Sequence, residues 1–296
     1  MKKRLLSTGI LVAITVLIGT MYSCSKNNES PISLDEQTAI NELNADLENL
    51  NATYNFENYQ TKGNWWKWMF VGLGDAACFF LSGGGTTLSA TSVTVAISGS
   101  TAIYKLFKLD KDKDSSSDDA IIGDSSLLPG QESLFIGDEI WGAGEIHNKV
   151  ICLLYEEYGE SLFQLSNAQL LNVIEKKTAE VLDCDISEAR LPEDFGPDTI
   201  FNIANAFMES NSSKEFICRL CNLYPEKAQV LDVLLTATVG FDYISEMDEV
   251  EEYSKAVCDI IESSTVEKPL KEELVETISV ANASRHLWNT EKFINK

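Results

Sequence analysis

The chain has 296 residues, with 46 Asp+Glu against 23 Lys+Arg and a formal charge of −23. That balance excludes a nucleic-acid partner, because phosphates are held by clustered Lys and Arg, and it disfavours charge-driven adsorption to anionic lipid. The length allows one or two domains with a proper core, kept soluble by an acidic surface.

Lys2, Lys3 and Arg4 form a basic start, Leu5 to Ile18 is apolar, and Gly19 to Ser23 is small and polar, the order of a secretory signal. Cys24 follows directly. Here the sequence resembles a bacterial lipoprotein signal, in which the Cys is acylated and becomes the new N-terminus. Ser23 fits the pattern, whereas Met21 and Tyr22 depart from it. Bacteroidete-type lipoproteins show similar looseness, and the polar run after Cys24 resembles their tether. The resemblance implies palmitate-type acylation on Cys24 and an outer-membrane location, facing the periplasm rather than the cell surface. Removing residues 1–23, which carry three basic and no acidic residues, would leave 20 Lys+Arg against 46 Asp+Glu, a formal charge of −26.

After a tether at 24–32, residues 33–54 read as an amphipathic helix. Ser33 and Glu36 have capping-box spacing, and Ile40, Leu43, Leu47, Leu50 and Tyr54 recur at 3-4-3-4 intervals. Trp65, Trp66 and Trp68 suit either a membrane interface or core anchors. From Met69 to Tyr104 the only charge is Asp75. Gly83-Gly84-Gly85 divides this stretch into an apolar arm and an arm crowded with small residues. Thr86, Ala90, Thr94, Ser98 and Ala102 recur every fourth residue, a ridge that lets helices approach closely. Nine of the second arm's nineteen residues are Ser or Thr, too many for an ordinary membrane span. The expectation is a helical hairpin buried in the protein, with membrane insertion of residues 65–104 as the alternative.

Residues 108–138 read as an acidic, Ser-rich linker. Asp110, Asp112, Asp114 and Asp118 have part of the spacing of a calcium loop. Ser115 replaces its turn glycine and Ile121 its bidentate Glu, so a solvated linker is the preferred reading. From 139 to 296 the pattern is helical. Ser166 and Gln169 make a cap, Gly196-Pro197-Asp198 is a break, Pro225 starts a helix, and 242–263 and 269–288 complete the set. The fold class is therefore all-α: an N-terminal helix (33–54) and a small-residue hydrophobic hairpin within 33–107, then a C-terminal helical bundle.

Chemistry-bearing motifs are sparse. Cys218 and Cys221 form a C-x-x-C within a helical pattern, without the two further ligands that zinc needs. Cys152 and Cys258 lie in apolar helical runs and read as small core residues. With two histidines and no H-E-x-x-H, no metal site is expected. No phosphate-binding or dinucleotide loop is present, so no cofactor is expected. One pattern stands out: Gly144, His147 and Asn148 form G-x-x-H-N at an apparent helix entrance. Together with the hairpin, it resembles uncharacterised bacteroidete-type cell-envelope lipoproteins, a resemblance that implies no activity. Read physically, His147 and Asn148 are helix-start residues bonding free backbone N–H groups. The expected function is a lipid-anchored, non-enzymatic envelope module that binds or supports another envelope protein. The alternatives are a membrane-active, bacteriocin-like protein inserting 65–104, and an enzyme of unknown class using His147.

Overall fold

Amphipathic spacing and short connections make a bundle the natural solution for this chain. The computed structural model describes residues 33–54, 56, 66–83, 89–114, 142–192, 195–244 and 247–288. The signal segment, Cys24, the tether, Trp65 and most of the linker lie outside the described residues. From Asp35 onward the described residues belong to one compact unit.

Among the described residues there are ten α-helices and no strand: α1 (Leu34–Tyr54), α2 (Trp66–Leu81), α3 (Ala90–Asp114), α4 (Gly142–Tyr158), α5 (Asn167–Leu182), α6 (Pro197–Met208), α7 (Ser213–Leu223), α8 (Ala228–Tyr243), α9 (Met247–Ser263) and α10 (Lys268–Trp288). The fold is all-α, as the sequence predicts. Local chemistry sets several boundaries. Ser166 and Gln169 complete a reciprocal capping box at α5. Pro197 opens α6 with Gly196 as its cap. Pro225 begins a 3-10 turn, Pro225–Lys227, and α8 starts only at Ala228.

The two arms of the hydrophobic hairpin are α2 and α3. Val71 to Leu81 and Ser92 to Tyr104 are buried throughout. α10 packs along α2 and α4, while α3 packs on α2, α5 and α6. No helix among the described residues is long and apolar enough to cross a membrane. Two buried hydroxyls of α3 are accommodated by back-bonding: Ser98 Oγ donates to Thr94 O at 2.6 Å and Thr101 Oγ1 to Ile97 O at 2.9 Å. Each bond satisfies a group whose burial would otherwise cost about 1–3 kcal/mol. The seam of α1 is buried at Ile40, Leu43 and Leu47. Asn51 and Tyr253 tie it down: Asn51 Nδ2 donates to Thr236 O at 2.8 Å, and Tyr253 Oη to Asn51 Oδ1 at 2.8 Å.

Two expectations need correction. α3 runs on to Asp114, past the predicted linker start at 108. Asp110, Asp112 and Asp114 therefore lie on a helical backbone, which cannot wrap a cation as a calcium loop does; Asp118 lies outside the described residues. The second correction concerns His147 and Asn148. α4 begins at Gly142, so both residues sit more than a turn inside the helix and not at its entrance.

Candidate functional site

Gly144 explains why α4 starts early. Two glycines within three residues argue against a helix on propensity alone, at roughly 1 kcal/mol each. Packing overrides that cost, because α10 lies so close that a Cβ at position 144 would stand 2.5 Å from Ser279 O and 2.7 Å from Ala283 Cβ. The Gly144 amide, in the first turn of α4, donates to Ser279 Oγ at 3.2 Å. On the other side of α10, a Cβ at Gly72 would lie 2.6 Å from Ala281 O. α10 is thus pressed between α2 and α4 at glycine contacts, and this brings polar residues from four helices together.

Asp75 of α2 is the centre of that meeting. Its side chain is fully buried, and Oδ2 accepts from Ser100 Oγ of α3 at 2.8 Å and from Ser284 Oγ of α10. His147 of α4, equally buried, places Nε2 3.6 Å from the same oxygen. Asn148 Nδ2 donates to Ala283 O at 2.7 Å, so its Oδ1, 2.9 Å from His147 Nδ1, is an acceptor. The imidazole must then carry its proton on Nδ1, which leaves Nε2 as a lone pair facing Asp75.

The charge state follows from the same geometry. Burial pushes the Asp75 carboxyl up to about 8, with the Ser284 and Ser100 hydroxyls partly offsetting it. Burial lowers His147 to about 4, and its bond to Asn148 acts weakly in the other direction. At neutral pH the pair is a protonated carboxyl beside a neutral imidazole, not an ion pair. The lone pair on Nε2 and the carboxyl proton are mutually suited. Asp75 Oδ1 has no hydrogen-bond partner among the described residues.

One more buried charge sits next to this cluster in sequence. Arg285, 1 % exposed, sends Nη1 to Phe241 O at 2.5 Å and Nη2 to Ile244 O, the end of α8. A cation there meets the negative end of the helix dipole and the unpaired terminal carbonyls. Neighbouring His286 is lowered to about 4, chiefly by burial and then by Arg285.

Of the residues singled out in the sequence, Gly144, His147 and Asn148 thus meet at α10. Cys24 lies outside the described residues. Sequence reasoning missed Ser100, Ser284 and Arg285, which carry no local motif. Asp75 did carry a signal, as the sole charge between Met69 and Tyr104. Cys78, Cys152 and Cys258 are buried thiols, as the apolar runs around the latter two predict. Among the described residues no group of three or more His, Cys, Asp or Glu side chains is placed to hold a metal ion. What the cluster does chemically is hold α2, α3, α4 and α10 in one register through neutral hydrogen bonds. No family model matches the chain, and comparison with curated proteins and with solved structures finds no match either.

Proposed function

We propose that the chain is an exported envelope lipoprotein, anchored through acyl groups on Cys24, whose helical body is a non-enzymatic module that binds or supports another envelope protein. The observation carrying the non-enzymatic part is the complete burial of Asp75 and His147. These are the residue types best suited to acid–base chemistry, and here they are sealed from solvent and spent on joining four helices. The basic start, apolar stretch and Cys24 support the anchor. An outer-membrane location facing the periplasm goes with the short, weakly acidic tether. Membrane insertion of 65–104 is less well supported, since residues 71–81 and 92–104 are buried, with α10 and α4 to α6 packed on these arms.

The full-length chain, expressed in a bacteroidete host with an alkyne-palmitate label, tests the anchor. The wild type should take up label and fractionate with outer membranes, while Cys24→Ala should lose both properties. Label retained by Cys24→Ala would sink the anchor. For the module, in-cell crosslinking of the anchored wild type followed by affinity isolation should enrich a defined envelope protein. Isolation with no enriched protein counts against it. Leakage of liposomes by the mature protein would favour insertion instead.

A further inference from the structure

We propose that Cys218 and Cys221 are a redox-active dithiol, in which Cys218 attacks a small-molecule disulfide and Cys221 resolves the adduct into an intrahelical disulfide. The inference rests on the arrangement of α7 and is independent of where the protein resides or what it binds. Of the six described thiols, Cys78, Cys152 and Cys258 are buried, Cys218 is exposed, and Cys184 and Cys221 are partly exposed. Only Cys218 and Cys221 stand one helical turn apart, on one face of α7. They feel each other electrostatically: the Cys221 thiol is raised by burial first and by Cys218 second. Cys221 Sγ rests 3.7 Å from Ala228 O, where α8 begins.

Helix geometry decides what kind of disulfide this pair can make. Residues three apart in a helix have Cβ atoms about 5–6 Å apart, whereas a disulfide needs about 3.5–4.5 Å. Closure therefore requires a movement of roughly 1–2 Å. The place to yield is the end of α7. Cys221 lies in the last turn, Tyr224 has already left the helical region at φ −130° and ψ 67°, and the final bond is Tyr224 N to Leu220 O at 2.7 Å. Oxidation should draw Cys221 away from Ala228 and loosen this turn. A bond formed at that cost is readily reduced, the property of a labile rather than a structural disulfide.

The chemistry balances with a low-molecular-weight disulfide as oxidant. The Cys218 thiolate attacks one sulfur, forming a mixed disulfide and expelling one thiolate. The Cys221 thiolate then attacks the Cys218 sulfur, forming the internal S–S bond and expelling the second thiolate. Two protein thiols are oxidised, one disulfide is reduced to two thiols, and the two protein protons pass to the released thiolates or solvent.

The test incubates the reduced mature protein with oxidised glutathione, blocks free thiols with iodoacetamide, and maps tryptic peptides. Cleavage after Arg219 separates the two cysteines, so the expected product is a disulfide-linked peptide pair. Cys221→Ser should instead hold glutathione on Cys218, and Cys218→Ser should leave Cys221 unmodified. Millimolar dithiothreitol should reverse the wild-type product fully. The proposal is overturned if both thiols stay fully alkylatable, if wild-type Cys218 stops at the glutathione adduct with Cys221 free, or if the product is a Cys218-linked dimer on a non-reducing gel.

Discussion

Asp75 and His147 face each other across 3.6 Å with neither side chain exposed to water, one a carboxyl whose ionisation is pushed up to about 8, the other an imidazole lowered to about 4. In this neutral pair the proton stays on the carboxyl, because burial penalises both the carboxylate and the imidazolium that a transfer would create. Three consequences are measurable.

Asp75→Asn can keep an oxygen in the place of Oδ2 as acceptor for Ser100 and Ser284, and it is uncharged at every pH. It should unfold in urea within about 1 kcal/mol of the wild type, since it copies the protonated acid. Asp75→Ala leaves two buried hydroxyls without their acceptor and opens a small void, and should lose roughly 2–4 kcal/mol. Equal losses in the two variants would show that the carboxyl's hydrogen bonds contribute nothing.

The pH profile separates the charge states. A carboxyl whose folded ionisation is raised from 3.8 to about 8 contributes stability that is present below pH 4 and is lost as pH rises toward 8. His147 and His286, both lowered, contribute stability that is present above about 6.5 and is lost as pH falls toward 4. Glu276, raised to about 7 mainly by burial, acts in the same direction as Asp75 but is half titrated at pH 7 and nearly complete by pH 8. Between pH 7 and 8 Asp75 is therefore the main contributor of these four groups. There Asp75 should remove up to about 1.4 kcal/mol per pH unit, and Asp75→Asn should fall clearly less steeply than the wild type. Urea midpoints measured from pH 6 to 9 would show parallel curves if Asp75 were ionised throughout.

The tautomer of His147 is directly observable. Long-range proton–nitrogen correlation spectra should show a protonated Nδ1 and an unprotonated Nε2, unchanged from pH 5 to 8. A ring that titrates near 6.5 would contradict the sealed, Asn148-bonded arrangement.

Gly144→Ala tests the contact between α4 and α10. Alanine improves helix propensity by about 1 kcal/mol, yet its methyl would strike the Ser279 carbonyl and Ala283. Backbone cannot move aside as a flexible side chain does, so the variant should lose about 1–3 kcal/mol net in thermal or urea unfolding. A gain in stability would mean that the helices separate freely at this point.

The apolar period of α1, the Ser166–Gln169 box of α5, the Gly196-Pro197-Asp198 break before α6 and the small-residue ridge of α3 were all legible along the chain, because capping and periodicity are local. The chain by itself therefore determined an all-α protein with a charge-poor hairpin. It did not reveal where α4 begins, because the glycines at 142 and 144 look like helix breakers until α10 is seen pressed against Gly144. Nor did it reveal what Asp75 and His147 do. Their partners come from positions 100, 148 and 284, with Asn148 itself fixed by the carbonyl of 283, and only helix packing brings Ser100, Ser284 and that carbonyl within hydrogen-bond reach. Burial, a property of the assembled bundle, then set both ionisation states and turned two reactive residue types into a neutral joint.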